Sequence, residues 1–171
     1  HTAMSWDIAP HSDKPILIKA GALGQGLPRT DLKVSPQHRI LLPHPARPNG
    51  VFAPALSLLD LPGVRQMQRC RSVTYHHIMC ASHEVVFANG LPCESFFPGR
   101  MALRTLSLEN RRVLRRCLLK ATGGAMKPYL LARPILKTRI ARQRVASDQV
   151  CWSDQTLAEA GCGLPDFGAL G

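Results

Sequence analysis

Leu32-Lys-Val-Ser-Pro-Gln-His-Arg-Ile-Leu-Leu42 reads as one strand interrupted in its middle. Leu32 and Val34 enter, Ile40 and Leu42 leave, and the apolar residues keep the two-residue period of a half-buried strand. Pro36 cannot donate to a ladder, so Ser35-Pro-Gln-His38 is the break, and it displays a histidine. A second stretch, Tyr75-His-His-Ile-Met-Cys-Ala-Ser-His-Glu-Val-Val-Phe-Ala-Asn-Gly-Leu-Pro-Cys-Glu-Ser95, carries two more short strands. Val73 to Ile78 and Val85 to Phe87 are joined across Cys80 to His83 and run into Asn89-Gly90, a favoured hairpin turn. This pair is expected at the centre of the sheet.

Working outward, 171 residues of which 45% are hydrophobic and 19% charged suffice for one core but not for two full domains. The 14 Pro and 13 Gly separate short runs of Val, Ile and Leu, a pattern of many short strands, so residues 1–100 read as mostly β. Pro15-Ile-Leu-Ile-Lys-Ala20 is a further strand, stopped by Gly21, Gly24 and Gly26. The spacing Gly-Ala-Leu-Gly-Gln-Gly lacks the Lys-Ser/Thr ending and the helix of a nucleotide loop, so it is read as turn chemistry. Residues 43–50 read as a loop and Pro54–Leu59 as a short helical turn. Ser107 caps a helix reaching Lys120, with Leu108, Val113, Leu114, Cys117 and Leu118 on one face. Pro134 to Val145 fits either a strand or a helix with a basic face. Residues 1–13 are expected to be a loose lead-in, 14–146 the domain, and 147–171 a weakly ordered tail.

Cys70, Cys80, Cys93, Cys117, Cys151 and Cys162 are widely spaced and form no C-x-x-C, which indicates neither a zinc ribbon nor a compact disulfide framework. His76, His77, Cys80 and His83 cluster locally, but alternate residues of a strand face opposite sides, so no metal is expected, and no cofactor. The net charge of +11 is concentrated between Arg100 and Arg144, where Glu109 is the only acid. That stripe matches no groove-reading motif, so a solvated basic face or an acidic protein partner stands ahead of nucleic acid. No apolar run approaches the roughly 18 residues of a membrane-spanning helix. The start does not resemble a signal peptide.

The blocks from Pro15 to Gly26, Asp31 to Arg39, Leu58-Leu-Asp-Leu-Pro-Gly-Val64, His83 to Gly90 and Glu94 to Gly99, in that order and spacing, resemble the bacterial Hedgehog/intein (Hint) family. The resemblance implies a mostly β, horseshoe-shaped fold with a C-terminal helix, here incomplete at its front. It also implies self-processing. In that family a Cys or Ser at the first position of the domain attacks the preceding peptide bond, giving a thioester or ester that is then hydrolysed or transferred. Ser35-Pro-Gln-His38 is similar to the T-x-x-H motif, which makes His38 the group that protonates the leaving amine, and Ser35 a carbonyl-holding or loop-orienting hydroxyl. An ordinary turn serine is the rival reading of Ser35. His83, eight positions after Tyr75, matches the second family histidine, which serves the later step.

Three departures limit that carry-over. His76 stands where splicing members often have Asp, and Glu94-Ser95 where they end in His-Asn, so no succinimide forms and splicing is not expected. No C-F-x-x-G-T-like segment precedes Pro15, and Cys93 is read as a structural thiol, so the attacking group is expected upstream of His1 and this fragment is expected to be inactive. The implied partner is the precursor's own N-terminal segment, in a larger, secreted bacterial precursor. A non-enzymatic module displaying its Arg-rich segment is the alternative.

Overall fold

The computed structural model describes residues 2–8, 14–69, 73–99, 103, 106–121 and 129–147. Nine strands and two α-helices follow in order among them, which is the mostly β architecture that the sequence predicts. The centre is an antiparallel sheet of four strands in the order β5 (Arg47–Pro54), β4 (Arg39–His44), β9 (Leu91–Glu94) and β8 (Val85–Ala88). Ile40, Leu41 and Leu42 are all buried, so β4 is covered on both faces and drives the core with Phe52, Leu58, Leu91 and Cys93. Beside it, β2 (Ile16–Ile18) lies between β3 (Leu32–Val34) and β6 (Val64–Gln66), contributing Ile16 and Ile18 to the same core.

Several local expectations are met for the anticipated physical reasons. Gly21, Gly24 and Gly26 all have positive φ. Asn89 (φ 51°) and Gly90 (φ 81°) close β8 onto β9, the left-handed pair that a two-residue hairpin needs. Ala55–Leu58 forms a 3₁₀ turn, and Leu58 plugs the core. The Ser107 hydroxyl accepts from the Asn110 amide at 3.1 Å and caps α1 (Leu108–Ala121). Leu114 is buried with Met79, Phe96 and Leu106 in a second, smaller cluster, but Leu108 is exposed rather than on the packed face.

Other expectations are corrected. Thr2–Ile8, read as part of a loose lead-in, is a strand, β1, paired antiparallel with β7 (Val73–Met79). The two strands are some seventy residues apart, so the ladder that satisfies their main-chain groups is invisible to a local reading. For the same reason β7 and β8 do not pair: β7 belongs to the two-stranded ribbon, and β8 is the edge of the central sheet rather than its centre. Residues 43–50 are not a loop. β4 runs to His44 and β5 starts at Arg47, with a register slip between Leu42 and His44, where Pro43 removes a ladder donor.

The basic stretch near the C-terminus resolves into two parts. Phe52 donates its amide to Pro134 and accepts from Leu136, both at 2.8 Å, so Tyr129–Lys137 forms a strap along the otherwise open edge of β5. Helix α2 (Thr138–Ala146) then buries Ala141 and Val145 against the core. Gly123-Gly124 and residues 148–171, most of the expected tail, lie outside the described residues.

Candidate functional site

Ser35-Pro-Gln-His38 is a tight turn. The His38 amide donates to the Ser35 carbonyl at 3.0 Å and lies 3.2 Å from the Ser35 hydroxyl oxygen. The turn docks on the 3₁₀ segment, since Ala55 donates to the His38 carbonyl and Leu56 to the Pro36 carbonyl. The Ser35 hydroxyl thus accepts within its own turn. The His38 ring makes no hydrogen bond to another described residue. Burial lowers its pKa from 6.5, with Arg39 acting in the same direction and the Glu94 carboxylate opposing both.

His83 is held quite differently. Its ring is packed between Phe52, with centroids 5.3 Å apart, and Phe97, at 5.1 Å. Nδ1 accepts the Ala132 amide at 3.0 Å, which obliges the neutral ring to carry its proton on Nε2. That Nε2 is buried, makes no well-formed hydrogen bond, and faces Glu94 Oε2 at 3.5 Å. The aromatic enclosure continues from Phe97 to Tyr129, whose hydroxyl donates to the Cys80 carbonyl at 2.9 Å. The strap thus grips the Cys80–Glu84 turn at both ends.

Glu94 joins the two histidines. It is 8% exposed at the end of β9, beside β4. Oε1 accepts the Arg39 amide at 2.9 Å, the N–H of the peptide bond that follows His38, and Oε2 accepts from the Arg39 guanidinium at 2.5 Å. Burial pushes the Glu94 pKa up, but the His83 N–H, Arg39 and His38 outweigh it and hold the carboxyl below its ordinary 4.5. Ser95 accepts the Glu84 amide at 2.9 Å.

Of the sequence candidates, Ser35, His38 and His83 are thus distributed over two turns that meet at Glu94. Glu94, Arg39, Phe97 and the strap residues Tyr129 and Ala132 were not singled out for the site. One signal was available: a carboxylate closing Leu91-Pro-Cys-Glu94, a run that is otherwise apolar, requires a buried partner. Burial raises the Cys93 thiol to about 12, so it is a core group and not a nucleophile at neutral pH. His76 is exposed while Cys80 and His83 are buried, and the side chain of His77 lies outside the described residues. Among the described residues no three His, Cys, Asp or Glu converge in a way that would hold a metal.

Comparison with known families adds one finding. The sequence profile described as the Hint domain matches residues 2–100, which takes in β1 to β9 with His38, His83 and Glu94, and ends before the strap. No curated protein and no solved structure matches the chain.

Proposed function

The chain belongs to the Hint domain family, and from that premise we propose that it is an autoprocessing domain that breaks the peptide bond at its own N-terminal junction. A Cys or Ser upstream of His1 attacks the carbonyl carbon of the bond before it. The new C–S or C–O bond forms, the C–N bond breaks, and the leaving nitrogen takes a proton. His38 is assigned that proton transfer. Its ring is free of hydrogen bonds to described residues and sits in a turn fixed through main-chain contacts. Burial favours its neutral form, so a proton that it acquires is readily passed on.

The single observation that carries this reading is the meeting of the turn that bears His38, through the Arg39 amide, and of the His83 ring at one buried carboxylate. His83 turns its buried Nε2–H towards that carboxylate, which keeps the ring in one tautomer and orientation within the site. Ser35 keeps the turn in place. Glu94-Ser95 supplies no cyclising amide, so the reaction ends in hydrolysis or transfer of the (thio)ester rather than splicing. Alone, residues 1–171 hold no nucleophile in the family's pattern and are expected to be silent.

The test is hydroxylamine trapping in a chain extended upstream of His1 by its native sequence. Attack on the (thio)ester would leave an upstream fragment ending in a hydroxamate, read by intact mass. No hydroxamate at any thiol concentration would refute the proposal. A second reading has one observation behind it: α1 exposes Arg111, Arg112, Arg115, Arg116 and Lys120, with Glu109 the one acid on that helix. As a docking face for an acidic partner it predicts association that weakens steeply with salt, and salt-independent behaviour would remove it.

A further inference from the structure

We propose that Glu94 is the positioning residue of this site, with one carboxylate oxygen fixing the main chain that carries His38 and the other facing the ring proton of His83. The inference rests on the reading of the site given above. A carboxylate that is 8% exposed persists only when its oxygens are occupied, and Glu94 has three donors aimed at it: the Arg39 amide, the Arg39 guanidinium and, at 3.5 Å, His83 Nε2. Two of these belong to the site by position. The Arg39 N–H is part of the peptide unit that His38 opens, so a shift of Glu94 moves the turn that aims His38. The Nε2 proton points towards Glu94 because the Ala132 amide occupies the other ring nitrogen.

The rival explanation is a purely structural ion pair that ties β4 to β9, next to the Ile40–Cys93 pairing. Arg39 on β4 would be enough for that. It does not require the second oxygen to face a histidine from the β7–β8 turn, itself fixed by a strap fifty residues away. The charged and titratable groups facing Glu94 are Arg39 and His38 at the start of β4, and His83 from that turn. Glu84, next to His83, accepts from the Ser82 hydroxyl at 2.9 Å.

The two explanations differ in what happens when only the charge is removed. The experiment is NMR of the 171-residue chain with ¹⁵N-labelled histidine, comparing wild type with Glu94→Gln and Glu94→Asp, each checked by its melting temperature. For folded Glu94→Gln the expected result is a lower titration midpoint of His38, because a carboxylate that favours its cation is gone, and an upfield move of the Arg39 amide proton. Glu94→Asp should recover part of both. A His38 midpoint that stays put in folded Glu94→Gln would overturn the inference.

If Glu94→Gln does not fold, the wild type alone decides. The ¹³C step of the Glu94 carboxyl on acidification should be mirrored, with the same midpoint, at the Arg39 amide and the His83 ring. No shared step would equally overturn it. Neither readout needs peptide cleavage. A chain that never processes itself but shows the coupling keeps this inference and loses the processing reading, and the reverse outcome does the opposite.

Discussion

The Ser35–His38 turn and the Cys80–Glu84 turn each bring one histidine to Glu94, and they hold it by opposite means. His38 is fixed through its main chain, by Ser35 and the 3₁₀ segment, and its ring has no hydrogen bond to a described residue. His83 is fixed through its ring, packed between a tilted Phe52 and an edge-on Phe97 and tied at Nδ1 to Ala132. The first arrangement suits a group that must gain and lose a proton, because no described residue locks one tautomer. The second suits a donor whose proton must stay on one nitrogen. One residue type thus has two kinds of chemistry available, and the difference lies in which atoms the fold holds.

The largest expected effect collapses the comparison altogether. Phe52 is fully buried, packs at a tilt against His83 and pairs through its main chain with the strap. Phe52→Ala should cost about 3–5 kcal/mol in urea unfolding, and both turns should loosen together. A loss confined to His83 would mean that the two turns do not share the core.

Two smaller changes should separate the turns. Tyr129→Phe removes the hydroxyl that ties the strap to the Cys80 carbonyl, at about 1 kcal/mol. It should speed hydrogen exchange at the Ala132 amide while leaving the His38 amide protected. Ser35→Ala removes an acceptor from a turn that keeps its main-chain bond, and should cost about 0.5–1 kcal/mol. Here exchange should rise at His38 and not at Ala132. Equal responses at both amides, in either variant, would contradict the separation.

The smallest effect sharpens the account of His38. Burial lowers its pKa from the ordinary 6.5, so between the two values the unfolded chain binds more protons. Its contribution to stability is therefore whole above about 6.5 and is lost as pH falls towards the folded value. His38→Gln should flatten the fall of unfolding free energy just below that pH. An identical slope in the variant would place the titrating group elsewhere.

These contrasts also mark what a linear reading reaches. The Ser35–His38 break and the Asn89-Gly90 hairpin were legible because a proline and a left-handed pair act within a few residues. The short 3₁₀ segment and the Ser107 cap were legible on the same local grounds. The β1–β7 ribbon was not, since each strand's partner lies some seventy residues away, and β7 with β8 looked like neighbours only because they are consecutive. For α2, arginines at Arg139, Arg142 and Arg144 obscured the period, leaving strand and helix equally open, and packing of Ala141 and Val145 decides it.

Site chemistry followed the same division. His38 and His83 were singled out through their surrounding motifs, whereas the contacts that hold them differently join residues about fifty positions apart: Arg39 with Glu94, His83 with Ala132. The strap also lies beyond the residues that the family profile covers.

The most direct test of the central claim is the rate of thiol-induced scission, by intact mass, in the chain extended upstream of His1. It would be measured side by side with His38→Ala, Glu94→Gln and, as a neutral control on an exposed position, Leu108→Ala. The account predicts scission in the wild type and the Leu108 variant, a slower rate in Glu94→Gln, and a loss of roughly 100-fold or more in His38→Ala, the range for removing a positioned acid–base group. Equal rates in all four chains would show that the His38–Glu94–His83 group does not carry the reaction.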